Sequence, residues 1–150
     1  MIKIIRGDLL SSGAQYICHQ VNCQGVMGSG VAKQVKEKWP IVYERYRAAC
    51  VQYTDDKDKL LGCVQFIPVN NLITVVNIFG QLSYGRDEKC YTDIHALSEA
   101  CKKIAGKVKL GNTIAMPYRI GCGLAGGDWG KVVDVLTDVF QEHILTLYKV

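Results

Sequence analysis

Two glycine-rich segments carry the residues best suited to hold a charged ligand. Residues 19–34 read HQVNCQGVMGSGVAKQ, and residues 117–129 read PYRIGCGLAGGDW. Each segment follows a short apolar run typical of a strand and leads into a pattern typical of a helix. Glycine lets the backbone bend tightly and approach a ligand closely, and the start of a helix presents free N–H groups that suit a phosphate. Two such loops in one small domain predict a pyrophosphate bound between them.

Two familiar phosphate-binding motifs fit the first segment only in part. The span Gly25–Gly30 has the outer spacing of a P-loop, but Val31-Ala32 stands where a P-loop needs Lys and Ser or Thr to contact phosphate and magnesium. The span Gly28–Lys33 begins like a dinucleotide fingerprint, but a lysine stands where the last glycine must be. Both motifs are therefore excluded.

The elements that must position these loops alternate between strands and helices. Strands are predicted at residues 2–5, 15–20, 61–69, 72–79, 113–116 and 144–150, and helices at 31–50, after Thr92 as N-cap, and at 128–141. Pro40 is expected to divide the first helix, and Asn70-Asn71 to form a tight hairpin turn. This order predicts an α/β fold with a mixed central sheet between two helical layers. Ligands of such folds bind beyond the carboxyl ends of the strands, where both loops fall.

Composition and charge are typical of one globular domain. The chain has 150 residues, an apolar fraction of 49%, a charged fraction of 21%, and no linker, repeat or low-complexity segment. We therefore predict a single domain over residues 1–150. The net charge of +4 favours an anionic ligand. No specific nucleic-acid partner is expected, because the chain lacks a basic stripe with interleaved aromatic residues.

The cysteines and the apolar runs indicate the compartment. The seven cysteines are an odd number without a Cys-x-x-Cys pair, which argues against a disulfide framework or a structural zinc site and fits a reducing compartment. No apolar run approaches the roughly 20 residues of a membrane span. Charges interrupt the N-terminal run 1–6, which reads as a strand rather than a signal peptide. We predict a cytoplasmic monomer with no membrane partner, no metal and no cofactor.

Three motifs in a fixed order resemble those of the macrodomain family. They are Gly7-Asp8-Leu9, the span Asn22–Ala32, and the span Arg119–Leu124 followed by Asp128-Trp129. The resemblance covers nearly the whole chain and is strongest to the branch that holds terminal ADP-ribose protein glycohydrolases and small ADP-ribose-1″-phosphate phosphatases. It implies a three-layer α/β/α macrodomain that binds ADP-ribose and hydrolyses a bond at the distal ribose. The implied substrates are ADP-ribosylated acidic side chains of proteins, ADP-ribose-1″-phosphate or O-acetyl-ADP-ribose. The alternative is a reader module that binds ADP-ribose without chemistry.

The resemblance also implies a role for each part of the ligand site. Asp8 accepts the adenine amino group, with the backbone at Leu9 beside it, and Asn22 contacts hydroxyls of the distal ribose. Backbone amides of the first loop line the diphosphate and the distal ribose, and those of the second loop clamp the diphosphate from the other side. The residues implied are Gly28, Ser29, Gly30 and Val31 in the first loop, and Gly121, Cys122, Gly123 and Leu124 in the second.

Three side chains are candidates for the chemistry, and each has a structural alternative. His19 precedes the Asn-Cys segment as in the phosphatase-like members, where a histidine is placed to act as an acid or a base. Its alternative is a half-buried histidine bonded to a backbone carbonyl. Lys89 is near the position of the lysine that attacks C1″ in the glycohydrolase branch, and its alternative is a solvated surface lysine. Asp128 either orients water beside the distal ribose or caps the helix that follows.

One departure from the glycohydrolase pattern favours the reader alternative. Those members carry an aspartate directly after Gly-Cys-Gly-Leu, where this chain has Ala125.

In the long polar loop over residues 80–91, Arg86 and Asp87 are expected to bridge to the ligand or to fix the shape of the loop. Tyr118 is a rim residue that can reach the ligand. Cys122 sits among amides that can lower a thiol pKa, but its predicted role is packing under the diphosphate.

Overall fold

The computed structural model describes residues 2–150 and contains a six-stranded sheet. The strands are β1 (Ile2–Arg6), β2 (Tyr16–Asn22), β3 (Val64–Pro68), β4 (Thr74–Gln81), β5 (Thr113–Pro117) and β6 (Ile144–Lys149). Their order across the sheet is β1-β6-β5-β2-β4-β3. β3 pairs antiparallel with β4, and the other pairs are parallel. The mixed central sheet predicted from the sequence is confirmed.

Helices cover both faces of this sheet. They are α1 (Gly30–Lys38), α2 (Pro40–Gln52), α3 (Ile94–Lys107) and α4 (Trp129–Val139). Successive side chains of a strand point to opposite faces, so Ile17 of β2 packs in the core under α1 and α2, while Cys18 packs in the core under α3 and α4. This is the three-layer α/β/α arrangement. Within residues 2–150, no helix combines the length and the apolar character needed to cross a membrane.

Parallel pairing brings the two glycine-rich loops to one edge of the sheet. β2 runs parallel to both β4 and β5, with Tyr16 opposite Thr74 on one side and Ile114 on the other. The first loop leaves the carboxyl end of β2, and the second leaves the carboxyl end of β5. Because β2 and β5 are neighbours, the two loops lie side by side at the edge where ligands of such folds bind.

Two helix starts show how side chains set the ends of elements. Pro40 is the first residue of α2, which confirms that it divides the helical stretch. The N-cap of α3 is Asp93, whose carboxylate accepts a hydrogen bond from the N–H of Ala96 at 3.0 Å. The prediction of Thr92 as the cap is therefore wrong. The Thr92 hydroxyl instead donates to the carbonyl of Gly121 at 2.6 Å, which ties this segment to the second loop.

The hairpin between β3 and β4 is confirmed, but its turn is wider than predicted. Residues 69–73 connect the two strands. Oδ1 of Asn70 accepts hydrogen bonds from the N–H groups of Leu72 and Ile73, both at 2.8 Å. The asparagine side chain thus closes the turn by bonding to backbone two and three residues ahead, as turn asparagines do.

Candidate functional site

A cavity of about 410 Å³ opens where the two glycine-rich loops meet. Its lining comes from the end of β2, the first loop, the start of α1, residues 81 and 84–86, and residues 117–125 other than Cys122. The volume falls in the range of small-molecule sites, roughly 300–1,000 Å³. The position at the carboxyl ends of β2 and β5 is the one that the sequence predicted for a ligand.

Tyr46 of α2 holds the first loop in place. The side chain is fully buried, and its hydroxyl oxygen accepts hydrogen bonds from the N–H groups of Gly25 at 3.2 Å and Val26 at 3.1 Å. The same oxygen lies 2.7 Å from the carbonyl oxygen and 2.8 Å from Oδ1 of Asn22, and its single proton is donated to this pair. Burial raises the pKa of Tyr46, so the hydroxyl stays protonated. The protein itself therefore orders the loop.

Asn22 closes the same loop from within. Its Oδ1 accepts a hydrogen bond from the N–H of Gln24 at 2.9 Å, and its Nδ2 donates to the carbonyl of Val26 at 2.8 Å. The residue is buried and contributes to the cavity lining. Both polar atoms of the Asn22 side chain are thus engaged in shaping the loop, and its contact with the distal ribose stays a prediction.

The first turn of α1 presents backbone to the cavity. Ser29 is the N-cap and makes no side-chain hydrogen bond to the helix, so the first N–H groups lack the usual capping partner. Gly30 has a φ of 59°, a conformation that favours glycine. Gly28, Ser29, Gly30 and Val31 all line the cavity, and their contact with a diphosphate or a distal ribose stays a prediction. Free N–H groups and the positive end of a helix dipole make this turn suitable for a phosphate.

The second loop is held from behind by the segment that precedes α3. The N–H groups of Tyr91 and Thr92 both donate to the carbonyl of Ala125, at 2.6 and 3.1 Å. Gly126 has a φ of 69°, and a Cβ at this position would lie 2.6 Å from the carbonyl oxygen of Lys89. Glycine is therefore required there for the close backbone approach. Held in this way, the second loop contributes Gly121 and other residues to the cavity wall.

The charged residues of the cavity lining are positive. Arg86 and Arg119 belong to it, whereas no Asp or Glu does in the part of the chain that the structure describes. Guanidinium groups and free backbone N–H groups both favour an anionic ligand such as a diphosphate. Among residues 2–150, no group of three or more His, Cys, Asp and Glu side chains is placed to hold a metal ion.

His19 contributes to the lining although it is only 1% exposed. Its Nε2 lies 2.6 Å from Oδ1 of Asn77, the residue opposite it on β4, while its Nδ1 is buried and has no hydrogen-bond partner. Burial lowers the pKa of His19 to about 4, and the hydrogen bond to Asn77 opposes this shift in part. The imidazole is therefore neutral near pH 7. Its partner is a side-chain amide, so the predicted alternative of a bond to a backbone carbonyl is wrong.

The other two candidates for the chemistry lie outside the lining. The Lys89 side chain is 75% exposed, and its Nζ lies 3.7 Å from a carboxylate oxygen of Asp87. Asp128 is exposed and caps α4, because its carboxylate accepts a hydrogen bond from the N–H of Lys131 at 3.4 Å. In the structure, Lys89 is therefore a solvated surface lysine and Asp128 is a helix cap. Their catalytic roles stay predictions.

Asp8, Leu9 and Cys122 also lie outside the lining. The Asp8 carboxylate accepts hydrogen bonds from the N–H of Leu10 at 3.1 Å and the hydroxyl of Ser11 at 2.9 Å, so it caps a short 3-10 turn. Leu9 is buried in the core under α1 and α2. Their contact with an adenine stays a prediction. Burial raises the pKa of the Cys122 thiol, which does not favour a reactive thiolate.

Sequence reasoning missed the polar residues that support the loops. Gln20 donates from Nε2 to Oε1 of Gln81 and to the hydroxyl of Thr92, both at 2.9 Å. Asn77 forms a hydrogen bond with His19, and Tyr46 forms hydrogen bonds with the first loop. A signal was present at one of these positions, since Asn77 interrupts the otherwise apolar strand pattern of residues 72–79. Buried polar side chains need hydrogen-bond partners and therefore mark built networks.

Comparison with known proteins gives this architecture a family. The profile of the Macro domain family matches residues 18–136, which include both glycine-rich loops. The chain therefore belongs to the Macro domain family. A solved macrodomain from Streptomyces coelicolor is similar over 99% of this chain and 98% of its own, with 28% identity and a TM-score of 0.81. The macrodomain fold predicted from the sequence is confirmed.

The curated relatives are hydrolases of two kinds. An ADP-ribose 1″-phosphate phosphatase from Meyerozyma guilliermondii is 28% identical over 90% of this chain and 91% of its own length. A DNA ADP-ribosyl glycohydrolase from Mycobacterium tuberculosis is 27% identical over 95% of this chain but 39% of its own length. A phosphatase of the first kind from Scheffersomyces stipitis is 36% identical over 45% of this chain and 43% of its own. The chain thus spans about two fifths of the latter two proteins.

Proposed function

We propose that this macrodomain binds ADP-ribose and hydrolyses a bond at the distal ribose of an ADP-ribosyl derivative. The observation that carries the proposal is the cavity between the two glycine-rich loops. It is lined by the first turn of α1 on one side and by Gly121 and Gly123 on the other. Arg86 and Arg119 add positive charge. These groups suit a diphosphate, and relatives named as hydrolases of ADP-ribose derivatives support the reaction class.

Neutral His19 suits one task in such a hydrolysis. In the reaction, a water oxygen bonds to C1″ or to the terminal phosphorus, the bond to the leaving oxygen breaks, and a proton passes from the water to that oxygen. An imidazole with a pKa near 4 is neutral at pH 7 and lacks the acidic proton of an imidazolium, but the lone pair of its unprotonated nitrogen can accept a proton from water. We therefore propose His19 as the acceptor that orients water, with positioning by the two loops as the larger contribution.

A reader module without chemistry is the second candidate. Two observations favour it: Ala125 stands where the glycohydrolase pattern has an aspartate, and none of the described lining residues is acidic. A binding module needs only the two loops and the arginines. The two candidates differ in turnover and not in affinity for ADP-ribose.

The molecular context is part of the same proposal. We propose that residues 1–150 act as one domain, as a cytoplasmic monomer, and that nucleic acid is at most a carrier of the ADP-ribosyl group. The seven cysteines, all free, support a reducing compartment. Light scattering coupled to size exclusion at micromolar concentration is expected to give the monomer mass, and a dimer mass would overturn that part.

The deciding experiment is a turnover assay with products identified by mass spectrometry. The substrates are a protein ADP-ribosylated on acidic side chains, ADP-ribose-1″-phosphate, O-acetyl-ADP-ribose, and DNA that carries ADP-ribose. At least one is expected to be hydrolysed, and His19→Gln is expected to slow that reaction about 10²–10⁴-fold, the usual effect of losing acid–base help. Binding of ADP-ribose without turnover of any substrate would exclude the enzyme and leave the reader.

Matched variants separate an effect on catalysis from an effect on folding at Asp128 and Lys89, the two candidates outside the cavity lining. Asp128→Ala and Asp93→Ala each remove an N-cap and are expected to cost about 1 kcal/mol of stability with the same small effect on turnover. A clearly larger loss of turnover for Asp128→Ala would establish a catalytic role. Lys89→Ala is expected to leave turnover unchanged, and loss confined to carboxylate esters would instead identify Lys89 as their nucleophile.

A further inference from the structure

A row of polar side chains crosses the sheet from its edge to the cavity. Gln65 of β3 lies opposite Asn77 of β4, which in turn lies opposite His19 of β2. The three side chains are joined by hydrogen bonds, and the row begins outside the sheet at the backbone carbonyl of Arg45 in α2. It ends at Nδ1 of His19, which is buried and has no partner.

The row has a single direction, set at its outer end. A carbonyl oxygen can only accept, so Gln65 must present its Nε2 to Arg45, at 3.2 Å. Its Oε1 then faces Asn77 and accepts a hydrogen bond from Nδ2 at 3.1 Å. Asn77 is thereby turned so that Oδ1 faces Nε2 of His19 at 2.6 Å. An amide oxygen can only accept, so the proton of the imidazole must be on Nε2.

We propose that Asn77 and Gln65 are positioning residues that hold His19 in the Nε2–H tautomer, so that Nδ1 is kept unprotonated as a hydrogen-bond acceptor. A buried acceptor without a partner is costly in a folded protein. A hydroxyl or a water that reaches this atom would satisfy it. Whether that group is a ribose hydroxyl or the attacking water rests on the proposed function. The tautomer follows from the protein alone.

The tautomer can be measured in the ligand-free protein. Long-range ¹H–¹⁵N correlation spectra of the histidine rings at pH 7 distinguish a protonated from an unprotonated nitrogen, and the signals of His19 are those missing in His19→Gln. We expect a protonated Nε2 and an unprotonated Nδ1. An Nδ1–H tautomer or an imidazolium at His19 would overturn the proposal. This measurement requires neither turnover nor a substitution of Asn77 or Gln65, so it is independent of the proposed function.

Two substitutions at the edge strand test the direction of the row. Gln65→Met removes both polar atoms, which frees the Asn77 amide to rotate by half a turn, and signals of both His19 tautomers are expected. Gln65→Glu retains an acceptor for Asn77 Nδ2 and is expected to keep the Nε2–H form. A purely structural role for Gln65 would not shift the tautomer. A single Nε2–H tautomer in folded Gln65→Met would therefore overturn the role of Gln65.

Discussion

At the scale of single residues, Gly30 links the backbone of α1 to the proposed diphosphate. Its φ of 59° is a conformation that other residues rarely adopt, and it lines the cavity. Gly30→Glu adds strain and a negative charge where the account places phosphate. We expect a folded protein without measurable ADP-ribose binding by calorimetry, with circular dichroism to confirm the fold.

Gly111 provides the matched control for this substitution. It has a φ of 93°, has open space around its Cβ position, and precedes the amino end of β5, away from the cavity. Gly111→Glu thus also places a side chain at a positive φ and adds the same charge. It is expected to bind ADP-ribose as the unmodified protein does. Equal affinity in both variants would show that the first loop does not hold the phosphates.

Arg86 and Lys89 test which positive charge of the 80–91 loop meets the ligand. The two residues are three positions apart, but Arg86 belongs to the cavity lining and Lys89 does not. A hydrogen bond to a charged group contributes about 1.5–3 kcal/mol, so Arg86→Ala is expected to weaken ADP-ribose binding about 10- to 100-fold. Lys89→Ala removes the same charge from an exposed pair, which contributes about 0–1 kcal/mol. If titration calorimetry gives the reverse order, the ligand lies elsewhere along this loop.

At the scale of elements, α2 is the support of the first loop, through one buried hydroxyl. Tyr46→Phe leaves the N–H of Gly25 without its acceptor and that of Val26 with only Oδ1 of Asn22 at 3.5 Å, and an unsatisfied buried N–H costs about 1–3 kcal/mol. Urea unfolding is expected to show this loss, together with weaker ADP-ribose binding. Tyr43→Phe is the control, since that hydroxyl accepts an exposed hydrogen bond from Arg47. Equal stability of the two variants would contradict the supporting role.

The same scale shows how far sequence patterns predict the site. Glycine spacing and the order of strands and helices placed both loops at one edge of the sheet, and the parallel pairing confirms that position. The supports could not be predicted, because they join residues far apart in sequence. Thr92 reads as a cap from its neighbours alone, yet its hydroxyl binds Gly121, and Asp93 takes the cap. Local propensity cannot detect such a long-range partner.

At the scale of the whole molecule, the two glycine-rich loops of one cavity are held in place by different parts of the structure. The core under α1 and α2 fixes the first loop, whereas the segment before α3 fixes the second. The position of Lys89 shows what a motif alone does not predict, namely where its side chain lies in the ligand-free fold. Its backbone lies against Gly126 behind the second loop, so its exposed side chain pairs with Asp87 and not with the cavity.

Both halves of ADP-ribose are expected to bind across the two loops. Titration calorimetry of the unmodified protein with ADP-ribose, AMP and ribose-5-phosphate tests it most directly. We predict that ADP-ribose binds with a micromolar Kd, about −8 kcal/mol, and that the two fragments bind far more weakly, because each reaches only part of the cavity. AMP binding as tightly as ADP-ribose would contradict the account, since the loops would then contribute nothing to the distal half of the ligand.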